Sequence, residues 1–336
     1  MATDNLENPD TTVQTLRTVI TSEAEPLARR FRALFSLKHL ACLQPPTEKT
    51  LPAIQAIAAG FASPSALLKH ELAYCLGQTR NTDALPFLLK VLKDTQEDAM
   101  CRHEAAEALG ALGYESSLEV LKELRDNKDE CDVIRETCDI AVDRILWEQS
   151  EARKAEKLKP SDFTSIDPAP PMPLSAKEPS IPELEKTLLD TSLPLFHRYR
   201  AMFGLRDLAS PPDLPTAKEA VESLAKGLKD PSALFRHEIA FVFGQLCHPA
   251  SVPSLTEALS NQSEASMVRH EAAEALGSLG DVEGVENTLK KFLNDPEKVV
   301  RDSIIVALDM AEYEKNGEVE YALLPDSGNL AAVPAA

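Results

Sequence analysis

The chain has 336 residues, 43% apolar and only 5% aromatic, a length for two domains and a composition that suits close-packed helices over a β-sandwich. Its 54 acidic against 35 basic residues leave a formal charge of -19, which repels phosphate backbones and anionic lipid, so neither nucleic acid nor a membrane is an expected partner and a basic partner is favoured. The six cysteines form no C-x-x-C pair, which excludes a thiolate zinc site or disulfide framework, and no stretch reaches the roughly 18 apolar residues of a membrane span.

Residues 1–10 lack apolar periodicity and carry no apolar leader, and are expected to be mobile. From 11 to 148 the pattern is helical. Arg30-Phe31-Arg32-Ala33 marks one helix, and Ser63-Pro64 leads into Ala66-Leu67-Leu68-Lys69-His70-Glu71-Leu72-Ala73. A second His-Glu pair stands 33 residues on, in Arg102-His103-Glu104-Ala105-Ala106-Glu107-Ala108-Leu109-Gly110, and that spacing is one helix-turn-helix unit. Val133-Ile134-Arg135-Glu136 opens a further unit. Gly77 and Gly110 fall near predicted helix ends and read as C-terminal stops. Between 149 and 182, Pro160, Pro168, Pro170, Pro171, Pro173 and Pro179 forbid a continuous helix, which predicts an extended linker.

From 183 to 316 the chain is written again. Arg198-Tyr199-Arg200-Ala201 repeats the first marker, and Ala233-Leu234-Phe235-Arg236-His237-Glu238-Ile239-Ala240 repeats the first His-Glu segment 167 residues later. Arg269-His270-Glu271-Ala272-Ala273-Glu274-Ala275-Leu276-Gly277 repeats the second without change at the same offset, and Val299-Val300-Arg301-Asp302 matches Val133-Ile134-Arg135-Glu136. Asp230-Pro231 and Asp295-Pro296 are read as helix starts, Gly244 and Gly277 as stops. Residues 317–336 lose the pattern and are expected to be mobile. The expected fold is all-α, with HEAT-like hairpins in two pseudo-symmetric halves of about four each, facing one another around a dinuclear metal site. Ankyrin and tetratricopeptide signatures are absent.

Four of the seven histidines stand directly before a glutamate at equivalent places. Packing explains most repeated residues, but helix phase argues against it here. At about 100° per residue His70 lies roughly 160° from Leu72 of its apolar stripe, and His103 the same from Ala105. The dipeptides are therefore expected on an exposed or concave surface, where residues one repeat apart reach a common ion. Two histidines and a carboxylate with open positions suit non-haem iron that activates oxygen, and two halves imply two metals. Glu107 and Glu274 are read as helix-surface or supporting groups. Lys69, Arg102, Arg236 and Arg269, each directly before a His, are read as solvated or salt-bridged. His39, His197 and His248 have no repeat partner and are not expected to bind metal.

Four His-Glu motifs in tandem HEAT-like repeats, split by a linker into equivalent halves, closely resemble the deoxyhypusine hydroxylases, from about Pro26 to Glu314. The resemblance implies one iron on His70, His103 and Glu104 and the other on His237, His270 and Glu271. It implies that Glu71 and Glu238 bind and orient the substrate amine, and that Gly77 and Gly244 match glycines beside the site. The implied reaction is hydroxylation of the deoxyhypusine side chain of eukaryotic translation initiation factor 5A, with two Fe2+ ions, O2 as co-substrate and an external electron donor, since no flavin or nicotinamide fingerprint is present. The expected enzyme is a monomer in the cytosol, with the nucleus as a second address. Two other readings use the same residues: a non-enzymatic scaffold for a basic partner, and a dinuclear metallohydrolase. The position four residues after each His is Tyr74, Glu107, Phe241 or Glu274, never the second His of H-E-x-x-H.

Overall fold

A computed structural model describes residues 11–158, 161–170, 172–173, 179–315 and 323. The ends expected to be mobile, 1–10 and 317–336, lie outside these apart from Leu323.

The first half runs α1 (Thr12–Thr21), α2 (Leu27–Cys42), α3 (Thr50–Ala59), α4 (Ala66–Gln78), α5 (Leu85–Lys93), α6 (Ala99–Leu112), α7 (Leu118–Asp126) and α8 (Asp132–Gln149), followed by the short α9 (Glu151–Ala155). The second half runs α10 (Ile181–Leu189), α11 (Leu195–Ala209), α12 (Ala217–Lys226), α13 (Ala233–Leu246), α14 (Val252–Ser260), α15 (Ser266–Gly277), α16 (Val285–Lys290) and α17 (Lys298–Lys315). Each half holds four hairpins, and among the described residues no helix is long and apolar enough to cross a membrane.

Burial separates two layers. Outer helices bury a single stripe, as α5 does through Leu88, Val91 and Leu92, the signature of a helix with one wet face. Inner helices are buried nearly all round: ten of the 13 residues of α4 and eleven of the 14 of α6 are inaccessible. Their second face must meet something other than solvent.

Arginines set the hairpin geometry. In five hairpins an arginine early in the inner helix donates Nε–H to the carbonyl ten residues back, at the end of the outer helix: Arg30 to Ile20 (3.0 Å), Arg102 to Leu92 (3.1 Å), Arg135 to Arg125 (3.4 Å), Arg198 to Leu188 (2.9 Å) and Arg269 to Leu259 (3.0 Å). Each bond satisfies a carbonyl that the helix terminus leaves unpaired.

Two local expectations are corrected. Gly77, Gly110 and Gly277 do not stop helices but lie inside their last turns; a Cβ there would meet the Cα of Ala108, Ala141 or Ala307 on the next inner helix at 2.8, 2.9 and 2.8 Å. Glycine is needed for close helix approach. The residues before proline are not the caps of α4 and α13 either: Ser65 and Ser232, two positions later, accept from the Leu68 and Phe235 amides at 3.3 and 3.1 Å.

The halves close into a ring at two equivalent seams. Helix α8 packs on α11 and α13, and α17 packs on α2 and α4. The seams share one bond: Ser232 Oγ donates to Glu136 of α8 (2.6 Å), and Ser65 Oγ to Asp302 of α17 (3.3 Å). The Pro-rich segment also departs from a free linker. Its residues 161–170 form a strap over both halves: the Ile166 amide donates to Gln78 Oε1 (2.8 Å), Gln245 Nε2 donates to Ser165 Oγ (2.9 Å), and Asp167 pairs with the buried Arg206 at 2.8 Å. Gln78 and Gln245 are equivalent residues at the ends of α4 and α13, so the strap lies across the pseudo-twofold axis.

Candidate metal centre

The phase argument placed the four His-Glu pairs opposite the outer-helix core, and they are there, but the surface they face is internal. His103 and His270 are fully buried, and His70, Glu71, Glu104, His237, Glu238 and Glu271 are between 2% and 8% exposed. The expectation of an exposed or concave surface is corrected because each half is roofed by the other. One half viewed alone presents a groove; two together present a chamber.

Inside it the four imidazoles converge. Ring centroids are 5.4 Å apart for His70 and His103 and 5.3 Å for His237 and His270, and across the halves 5.1 Å for His70 and His270 and 5.2 Å for His103 and His237. His70 Nε2 lies 3.3 Å from Glu104 Oε2, and His237 Nε2 lies 3.3 Å from Glu271 Oε2. Donor atoms of His70, His103 and Glu104 all fall within 4.8 Å of one another. The second-half donors group differently: His70 with His237 and His270, and His270 with Glu271 and Glu274. His270 Nδ1 is 3.6 Å from Glu274 Oε1, so Glu274 stands inside the cluster instead of on the helix surface. Glu107 lines the same cavity. Both positions were visible in the sequence as the residue one turn after His103 and His270.

Burial governs the protonation of these groups. Glu71, Glu104 and Glu271 are pushed up to about 8, by desolvation first and then by neighbouring carboxylates, Glu274 acting on Glu71 and Glu271, and Glu271 on Glu104. Glu107 and Glu238 are raised further and Glu274 is raised, each mainly by burial. His237 is lowered to about 3 and His103 and His270 are held well below 6.5, again by burial and then by the other imidazoles. Carboxylates crowded out of water and imidazoles kept neutral form a donor set that a cation stabilises strongly. None of the eight ring nitrogens makes a hydrogen bond although all are buried. Unsatisfied buried groups cost about 1–3 kcal/mol each, so these nitrogens fit a metal as their partner. Neutral imidazole with carboxylate and no thiolate suits iron in particular.

The cations preceding the four histidines take no part. Lys69, Arg102, Arg236 and Arg269 pair with Glu97, Glu130, Glu264 and Asp295, each reaching toward the following hairpin.

A cavity of about 740 Å3 leads to the centre, with Glu71 and Glu238 in its wall beside Phe31, Phe35, Tyr74, Phe241, Val306 and Met310. Sequence reading did not single out these apolar residues. Phe31 and Phe35 on α2 and Val306 and Met310 on α17 join across a seam, and helix phase within one half cannot place them together.

Residues 51–141 and 221–309 match the family of HEAT repeats. Over the full length of both chains the protein is 89% identical to the deoxyhypusine hydroxylase of Emericella nidulans, and it is 84% identical to that of Aspergillus fumigatus over 98% of this chain and 99% of the other. The chain belongs to the deoxyhypusine hydroxylase family. The solved structure of human deoxyhypusine hydroxylase in complex with glycerol is 44% identical, covers 90% of this chain and 96% of its own, and superposes with a TM-score of 0.78. As a deoxyhypusine hydroxylase the chain is an enzyme of the oxidoreductase class, and the duplicated chamber is the part of its fold equipped for that chemistry.

Proposed function

We propose that this deoxyhypusine hydroxylase adds one oxygen atom to the deoxyhypusine side chain of eukaryotic translation initiation factor 5A, with His70, His103 and Glu104 holding one iron and His237, His270 and Glu271 the other. The observation that carries this reading is the convergence of four neutral, hydrogen-bond-free imidazoles, two from each half, with ring centroids 5.1 to 5.7 Å apart. Two iron ions bound there would supply the activation of O2 that C–H hydroxylation needs. The balance is one C–H bond, O2, two electrons and two protons giving C–OH and water, with the electrons from an external donor.

The chain's own residues do the rest. The aminobutyl arm ends in an ammonium group, and the cavity pairs an apolar wall with the carboxyls of Glu71 and Glu238. Phe35, Tyr74 and Phe241 strip water from the methylenes. Glu71 and Glu238 keep their protons in the buried chamber; an arriving ammonium favours their ionised forms, and the resulting pair is strong because water is excluded. Fixing the amine at one end of the arm fixes which methylene faces the centre, and such positioning lowers the barrier by restricting the arm before reaction. The acidic chain as a whole steers a basic partner toward the cavity.

The test is incubation of iron-loaded protein with deoxyhypusine-bearing factor, O2 and a reductant, followed by mass measurement of the factor. A gain of one oxygen on the modified residue is expected. An unchanged factor from protein shown to contain iron would overturn the reading.

A further inference from the structure

A duplicated ring has two equivalent seams and should have two equivalent mouths. In the register set by Arg30 and Arg198 and by Val133 and Val299, Phe31 and Phe35 of α2 correspond to Tyr199 and Phe203 of α11, and Val306 and Met310 of α17 to Ile140 and Arg144 of α8. The first four line the cavity that reaches the centre. Their counterparts do not. Phe203 is fully buried, where Phe35 is partly exposed. The Arg206 guanidinium lies 4.7 Å from the Phe203 ring and 4.4 Å from Phe163 of the strap, and Asp167 of the strap holds it there. Ile140 meets Pro168 of the strap in a small pocket of about 200 Å3. Arg144 stacks at 5.3 Å on Trp147 and pairs with Glu148 at 3.0 Å.

The asymmetry has a simple origin. A chain that joins two halves needs one linker, and this one crosses one seam. On the other side Lys38, the counterpart of Arg206, lies over Phe35 and Tyr74 at 5.5 and 4.8 Å and has no carboxylate partner among the described residues.

We propose that the seam between α2 and α17 is the single route by which the substrate side chain reaches the centre, and that Phe35 and Met310 determine its width and hence which side chains pass. This rests on the reading of the centre given above. One mouth admits one arm in one direction, so the two half-sites stop being interchangeable toward substrate although they are equivalent toward metal. Phe35 and Met310 are both partly exposed at the mouth. Methionine is unbranched and adapts to a passing chain, whereas Arg144 at the sealed seam is tied down.

The experiment compares wild type with Met310→Trp, Phe35→Trp, Met310→Ala and Arg144→Met, each loaded with iron. Iron content, thermal midpoint, Kd for the deoxyhypusine-bearing protein and KM are measured for all. Either tryptophan is expected to raise Kd and KM by about tenfold or more, the scale of a misfitting group in a fitted pocket, at unchanged iron content. Met310→Ala and Arg144→Met are expected to stay within about twofold of wild type on that scale. Tryptophan variants that keep iron and bind substrate as wild type does would overturn the proposal, and so would an Arg144→Met effect as large as that of Met310→Trp. Because tryptophan is neutral, a loss cannot come from repelling the cationic arm. If wild type binds the substrate but leaves its mass unchanged, the hydroxylase reading fails, while the Kd comparison still decides the route.

Discussion

His70 and His237 occupy equivalent places in the two halves, each with a carboxylate oxygen of the following repeat at 3.3 Å. Neither makes a hydrogen bond to protein, so replacing one removes a metal donor and little else. His70→Ala and His237→Ala are each expected to abolish hydroxylation and lower bound iron, measured by turnover and metal analysis; half the activity surviving in either would refute shared chemistry. Glu71 and Glu238 line the cavity and are proposed to meet the amine. Glu71→Gln and Glu238→Gln are therefore expected to retain iron and raise KM for the modified factor, by about tenfold or more for loss of one buried ion-pair partner. Loss of iron in Glu71→Gln would move that residue into the donor set.

Within the elements, the glycines make a sharper case than the histidines, because their role reversed between sequence and structure. A Cβ on Gly77 would lie 2.8 Å from the backbone of Ala108, but on Gly244 it would lie 3.4 Å from Ala275. Alanine gains up to about 1 kcal/mol of helix propensity at both positions. At Gly77 the neighbouring helix must also shift, which costs roughly 1–3 kcal/mol. Gly77→Ala is thus expected to unfold at lower urea than Gly244→Ala, and the opposite order would remove the close-approach account. The hairpins themselves were legible because each repeats a 33-residue pattern with an arginine and a small-residue face at fixed places. The exact caps were not, since Ser63 and Ser65 are both competent and only the turn geometry selects Ser65.

For the whole molecule, the buried charges make stability depend on pH and metal together. Folded Glu71, Glu104 and Glu271 hold their protons up to about pH 8, whereas the unfolded chain releases them near 4.5. Between those values the folded state binds more protons, so stability falls as pH rises. His103, His237 and His270 act in the opposite sense but only below about 6.5, where the unfolded chain takes up protons that the folded one refuses. From pH 6.5 to 8 the carboxyls act alone. Chelator-treated protein is expected to lose about 2–4 °C of Tm across that window, and iron-loaded protein to stay level because the bound cation already holds the carboxylates ionised. Equal slopes with and without iron would count against a metal on these residues.

The sequence by itself determined the duplication, the helical hairpins and the identity of the eight residues at the centre. Periodicity and a constant offset of 167 residues are properties of one chain read along its length, and they point each His-Glu pair off the outer core. What lies opposite that face was decided only by tertiary structure. Whether an inner helix meets water or another helix depends on how two halves close, and closure rests on contacts such as Ser65 with Asp302 and Ser232 with Glu136, 237 and 96 residues apart. The same holds for the strap. Prolines 168 and 170 exclude a helix, but only the side chains of Gln78, Arg206 and Gln245 turn the segment into a cover for one seam, leaving the other as the way in.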